Sequence, residues 1–201
     1  MQFADMARKL VELDMPVFTT EDISNLTGKD PKYVKVYLHY LVKRKKIEKI
    51  ERGKYSLPST SPYVIASRIT KNSYIALISA ARFHNITAQI PNIIYVFSLS
   101  YHRPLKISGN YLIKFIKVGR SIFYGYGEYN RAYVSDLEKI FIDDAYYHGS
   151  LFYTEELETA LQREIFDVKK FMKYFEMLKN KRARKRLRDA FSKQSIMEEG
   201  L

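Results

Sequence analysis

Cysteine is absent from the sequence. Disulfides, thiolate metal sites and thiol nucleophiles are therefore excluded. Also missing is any apolar run approaching the ~18 residues that a bilayer requires. The opening stretch, MQFADMARKLVELDM, carries acidic residues where a signal peptide would have its apolar core. The cytosol is accordingly the expected compartment. Histidines are few and scattered, at His39, His84, His102 and His148. No two of them are spaced as an HExxH-type ligand pair. Glycine is sparse as well, and the glycine-dense stretch FYGYGEY lacks the Gly-Lys-Ser/Thr of a phosphate-binding loop. No internal repeat is visible. These absences point away from an enzyme, and neither a cofactor nor a metal is expected.

Positive charge is what the chain has in excess, and its placement is uneven. The net charge is +12. Residues 1–58 contribute +4, residues 59–164 only +2, and residues 165–201 contribute +6. Two cationic ends around a near-neutral middle suit a polyanionic partner engaged at two places. Charge added merely for solubility is the plainer alternative. With 46% hydrophobic and 14% aromatic residues the chain is expected to fold.

The first 58 residues have a definite plan. Phe3, Ala7, Leu10 and Val11 are spaced for an amphipathic helix ending near Leu13. After Pro16, Thr19 and Asp22 suit the start of a second helix, with Ile23 and Leu26 facing the core and Gly28 stopping it. Asp30 as N-cap and Pro31 at the first helical position open a third helix with a buried stripe of Val34, Leu38 and Leu41. In IEKIERGKYSLP, Arg52-Gly53 falls between two short runs, so a tight hairpin is expected. Ile50 would pair across from Tyr55, with Ile50, Tyr55 and Leu57 inward and Lys49, Arg52 and Lys54 outward. Three helices and a hairpin make a winged helix-turn-helix.

SLPSTSP then marks a linker. Beyond it YVIASRI and SYIALISAARFH read as two helices, and NIIYVFSLS as a buried strand. NYLIKFIKV, SIFYGYG and RAYVS read as further strands separated by Gly109, Gly119 and Gly127. Ser135 and Glu138 have capping-box spacing for a helix running to about Tyr147. Thr154 begins another helix, and the pattern stays helical from Asp167 to about Gln194. The fold class is therefore α+β, with a winged helix-turn-helix over residues 1–58 and a mixed domain over 63–201 that ends in basic helices.

Two constellations carry the functional expectation. The N-terminal set is Thr20, Lys29, Lys32, Tyr33, Lys35, Val36, His39, Lys43, Arg52 and Lys54. On the third helix these residues lie away from the buried stripe. A helix with such a face fits the major groove, where lysines meet phosphates or guanine edges and Tyr33 and Val36 can meet a thymine methyl. Arg52 and Lys54 at the wing would reach the minor groove or flanking phosphates. The cations Lys43 to Lys46 also complement the helix dipole, which is reason enough for their presence. At the C-terminus, KNKRARKRLRDAFSK holds eight cations and one acid. Phe171, Phe175, Leu178, Leu187 and Phe191 continue an apolar face through it, leaving Lys181, Arg182, Arg184, Lys185, Arg186 and Arg188 for a phosphate or carboxylate partner. A solvated tail is the alternative. Glu128, Asp136 and Glu138 beside Lys139 could imitate a nuclease metal site, whereas adjacent Asp143 and Asp144 point in different directions.

One block adds a family likeness. In residues 67–98, SRITKNSYIALISAARFHNITAQIPNIIYVFS, the frame Ser73-Tyr74, Ala76-Leu77, Ser79-Ala80, His84, Thr87 and Gln89-Ile90-Pro91 resembles the AbiEi-type antitoxins, predicted transcriptional regulators of viral defence. RGKYSLP and SDLEKIFIDDAYY flank it in the same order, with Ser135-Asp136 in place of the usual proline region. The resemblance implies an antitoxin that binds double-stranded DNA upstream of its own operon and opposes a nucleotidyltransferase toxin, without requiring a stable complex with it. It is compatible with a homodimer and implies no membrane association. A regulator of other genes, its C-terminal domain serving dimerisation or ligand sensing, is the rival expectation. A metal-dependent defence nuclease is the third. Polar members of the block are expected to satisfy buried hydrogen bonds.

Overall fold

The computed structural model describes residues 2–90, 92–147 and 154–191. Pro91, His148 and the helical stretch expected beyond Phe191 lie outside the described residues. The chain forms two compact units, residues 1–69 and 70–201.

The first unit runs α1 (Phe3–Glu12), β1 (Val17–Thr19), α2 (Thr20–Thr27), α3 (Pro31–Lys43), β2 (Glu48–Glu51), β3 (Lys54–Ser56) and α4 (Pro62–Arg68). The ends of α2 and the start of α3 are set by local chemistry. The Thr19 N–H donates to Asp22 Oδ2 at 2.7 Å and the Asp22 N–H to Thr19 Oγ1 at 3.1 Å, a reciprocal capping box. Gly28 adopts φ 65° and closes α2, a conformation that would strain a residue bearing a Cβ. Asp30 caps α3 by accepting from the Lys32 N–H at 2.7 Å, with Pro31 just inside.

These elements enclose one apolar cluster of Met6, Leu10, Phe18, Ile23, Val34, Leu38, Leu41, Ile47 and Tyr55. Leu26 and Leu57 pack at its margin. On α1 the buried positions are Met6 and Leu10, while Val11, expected inward, is exposed because it lies further round the helix. The three-residue strand β1 was not anticipated. It pairs antiparallel with β3, so the hairpin is part of a three-stranded sheet of order β1-β3-β2.

The hairpin register also differs from expectation. Lys49, not Ile50, stands opposite Tyr55, and Glu51 stands opposite Lys54. Ile50 is the extra residue of a β-bulge, half-buried and unpaired across the ribbon. The expected linker is shorter than its composition suggests, since Ser56 belongs to β3 and Pro62 opens α4. An ion pair between Arg68 Nη2 and Asp14 Oδ2 at 3.1 Å fastens α4 within the first unit.

The second unit holds β4 (Ser73–Ile75), α5 (Leu77–Phe83), β5 (Ile93–Ser98), β6 (Leu105–Ile107), β7 (Tyr111–Lys117), β8 (Tyr126–Tyr129), β9 (Ala132–Ser135), α6 (Leu137–Tyr147), α7 (Thr154–Gln162), α8 (Val168–Met177) and α9 (Lys181–Phe191). Its mixed sheet has the order β6-β7-β5-β4-β9-β8. Four sequence expectations need correction here. SYI is a strand rather than the start of a helix, because it is buried between β5 and β9. SIFYGYG is a strand only from Tyr126, with a 3₁₀ turn over Arg120–Ile122 before it, and Gly127 lies inside β8 rather than between strands. The long C-terminal helix is two helices: Leu178 ends α8, and Asn180 Oδ1 accepts from the Arg182 and Ala183 N–H groups to begin α9. Ser135 and Glu138 form no capping box, for both side chains are engaged elsewhere.

Their partners belong to a polar core around α6, whose residues Leu137 to Ala145 are all buried. Asp143 pairs with Lys139 one turn earlier and accepts from Ser135 Oγ at 3.1 Å and from the Tyr74 hydroxyl at 3.3 Å. Burial pushes the Asp143 carboxyl up to about 6 and the Lys139 ammonium down, each opposing the attraction between them. Asp143→Ala would strand Lys139 as an uncompensated buried cation, and should cost roughly 3–5 kcal/mol in denaturant unfolding. Lys139→Met combined with Asp143→Leu should recover most of that loss.

Candidate nucleic-acid interface

Burial of Val34, Leu38 and Leu41 fixes the rotation of α3 and turns its other residues outward. Lys32, Tyr33, Lys35, Val36, His39 and Lys43 are all exposed. Val36 is 71% exposed and Tyr33 62%, values that rule out a core role for either. No acidic residue occurs within α3. Nearby carboxylates are already engaged: Asp22 and Asp30 cap helices, and Glu51 pairs with Lys54 at 2.9 Å. The exposed face of α3 thus carries cations and no acid of its own.

A groove of about 540 Å³ runs between α3 and the hairpin, lined by Lys32, Lys35, Val36, His39, Val42, Lys49 and Tyr55. It brings four of the expected contact residues together. Lys49 joins them from β2, a residue the sequence reading turned outward but did not assign to the site. The bulge at Ile50 places Lys49 opposite Tyr55, and no residue pattern announces a bulge of this kind.

The remaining expected residues divide. Lys29 and Tyr33 lie on the α2 side of α3, beside Thr27 and Tyr37. Burial, with Tyr33 and Tyr40 nearby, pushes the Tyr37 hydroxyl up, so it stays protonated. Thr20 is half-buried as the first residue of α2. Arg52 is exposed at the hairpin turn, where Gly53 holds φ 78°. Lys54 is not free as expected: its Nζ pairs with Glu51 and also donates to the Ile69 carbonyl at 2.6 Å. Within the basic run after α3, the Arg44 guanidinium lies 4.5 Å from the Tyr40 ring centroid and Lys46 Nζ 5.9 Å from that of Phe3. Those two cations serve the local fold.

On α9, Ala183, Leu187 and Phe191 are buried, and Phe171, Phe175 and Leu178 complete the apolar face. Lys181, Arg182, Lys185 and Arg188 are exposed. Arg186 instead donates to the Ala145 carbonyl at 3.2 Å, and Arg184 stacks 4.6 Å from the Phe175 ring centroid. Lys179, Lys181, Arg184, Lys185 and Arg188 line an open cationic groove with a single acid, Asp189.

Of the carboxylates that could have imitated a nuclease site, Glu128 is exposed on β8, while Asp136 and Glu138 are tied up. Asp136 accepts from the Tyr129 and Tyr174 hydroxyls and pairs with Lys170 at 3.1 Å. Burial alone would raise its carboxyl, but these bonds outweigh that and hold it below the usual range. Glu138 accepts from the Asp167 N–H and faces Lys170. Among the described residues no group of three or more His, Cys, Asp or Glu side chains is placed to hold a metal ion.

With this geometry in hand, comparison with known proteins is informative about the first unit. Residues 5–58 match the family model described as a transcriptional regulator, the AbiEi antitoxin. The AbiEi match therefore covers α1 through the hairpin. It stops short of residues 67–98, whose frame suggested the likeness in the sequence. In the structure that frame makes hydrogen bonds within the second unit. Ser79 Oγ donates to the Ile93 carbonyl and accepts from the Tyr95 N–H, while His84 Nε2 lies 2.8 Å from the Ser135 carbonyl oxygen. The crystal structure of RV2827C protein from Mycobacterium tuberculosis is similar in fold, with TM-score 0.57 at 13% identity. The likeness covers 94% of this chain and 76% of that one. No curated protein matches. No helix among the described residues is long and apolar enough to cross a membrane.

If the exposed α3 residues are solvent-facing by design, Val36→Ser and Tyr33→Ser should each alter unfolding free energy by less than ~0.5 kcal/mol. Leu38→Ala, on the opposite face, should cost about 2–5 kcal/mol in the same measurement.

Proposed function

We propose that this protein is a sequence-specific DNA-binding repressor, the antitoxin of a toxin–antitoxin pair that regulates its own operon and opposes a nucleotidyltransferase toxin. The observation that carries the reading is the acid-free exposed face of α3 beside the hairpin, within the segment that matches the AbiEi antitoxin regulators. An α-helix of this kind is shaped for the major groove, with its N-terminal residues nearest the bases. Lys32 and Lys35 supply phosphate or guanine contacts, Tyr33 and Val36 apolar ones, and Arg52 reaches past the groove edge. Lys49 adds a phosphate contact from the hairpin side. No catalytic role is assigned to the chain. Because the family match ends at residue 58, a regulator whose second unit dimerises or senses a ligand, with no toxin partner, is the rival that this boundary favours.

A duplex from immediately upstream of the gene provides the test. With about six phosphates contacted, log K should fall with log salt at a slope of about −5. A flat salt response would contradict the proposal. Lys35→Ala should cost roughly 1–3 kcal/mol and relax preference at one position if it reads a base. Arg52→Ala should weaken binding more than Lys54→Ala, because Lys54 is already committed within the fold. For the antitoxin role, co-expression with the neighbouring gene is decisive: growth arrest that this protein fails to relieve leaves only the regulator.

A further inference from the structure

The near-neutral middle of the chain conceals an asymmetry. Residues 52–127 contain no Asp or Glu, and every acid beyond Glu51 lies at residue 128 or later. Residues 70–127 nonetheless hold seven lysines and arginines. This stretch builds β4 through β7, so one side of the mixed sheet, β6-β7-β5, is made of chain without carboxylates.

Strand register shows what that side presents. Ile93 stands opposite Leu112, Tyr95 opposite Lys114, and Lys106 opposite Leu112. With alternation along each strand, these five residues share one face of the sheet. Lys106 and Lys114 are exposed, and Ile93, Tyr95 and Leu112 are half-buried. Lys114 Nζ lies 5.6 Å from the Tyr95 ring centroid. The five residues together make an apolar face with one tyrosine ring, two lysines and no acid of its own.

We propose that this sheet face binds single-stranded nucleic acid. The unneutralised lysines call for a polyanion. The Tyr95 ring and the apolar side chains beside it call for a partner with unstacked planar groups, which a single strand offers and a duplex keeps inside its stack. A flat sheet face also cannot enter a major groove as a lone helix does. A polypeptide of acidic residues would answer the lysines but has no planar group to lay on Tyr95. The surface lies wholly in the second unit and uses no α3 residue, so it stands apart from the duplex reading.

The full-length chain is titrated, by fluorescence anisotropy, into labelled fifteen-nucleotide oligo-dT and oligo-rU and a fifteen-base-pair duplex of unrelated sequence. Binding of either single strand supports the proposal, and a preference between them assigns DNA or RNA. Lys106→Gln with Lys114→Gln should lower single-strand affinity about tenfold and flatten the log–log salt slope by about 1.4. Tyr95→Leu, which removes the ring but keeps an apolar side chain, should lower it about fivefold. Lys35→Ala should leave it within about twofold, which separates this surface from α3. Failure of both oligonucleotides to bind would overturn the proposal. So would an equal loss of duplex affinity in the double variant, or displacement of the strand by polyglutamate as effective as by unlabelled oligonucleotide. An unchanged thermal unfolding midpoint in each variant confirms that binding, not folding, was altered.

Discussion

The packing of Val34, Leu38 and Leu41 into the first unit's core decides what the rest of α3 can do. Three side chains at helical spacing fix the rotation of a rigid cylinder, and everything on the opposite side must face outward. That single constraint puts three lysines, a histidine, two tyrosines and a valine on an exposed surface. The capping of α3 by Asp30 and Pro31 sets where that surface begins, and the β1-β3-β2 sheet sets where the hairpin stands beside it. Rotation, start and neighbour are three independent determinants, and they converge on one cationic groove.

Much of this arrangement was legible in the residues. Helix starts at Thr19 and Asp30, the stop at Gly28 and the α3 stripe follow from short-range chemistry, which acts within four residues and leaves a clear trace. What escaped was decided at longer range. β1 is three residues long and exists because β3 offers it a partner. The bulge at Ile50 depends on how β2 and β3 slide together, and it moved Lys49 into the groove while the fold claimed Lys54. SYI in β4 carried no alternation because both of its faces are buried, so it merged with the helix that follows. Asn180 could have divided α8 from α9, but the continuous apolar spacing from Phe171 to Phe191 concealed the break.

The two units handle charge in opposite ways. The first places acids at helix caps and in pairs with Arg8, Arg68 and Lys54, and keeps them out of α3. Around α6 the second unit buries its acids: Asp143 with Lys139, and Asp136 and Glu138 with Lys170. Asp136 and Glu138, which could have suggested catalysis in the sequence, instead tether the start of α6 to β8 and α8. Charge counted along the chain missed this, because a sum over a hundred residues does not distinguish a buried pair from an open surface.

Hydrogen exchange of the full-length chain, free and bound to a duplex from upstream of its own gene, addresses the central claim most directly. Slowed exchange concentrated in residues 31–56, through α3 and the hairpin, is the result this account requires. A complex that leaves those amides unchanged, and slows exchange only in the second unit, would contradict it.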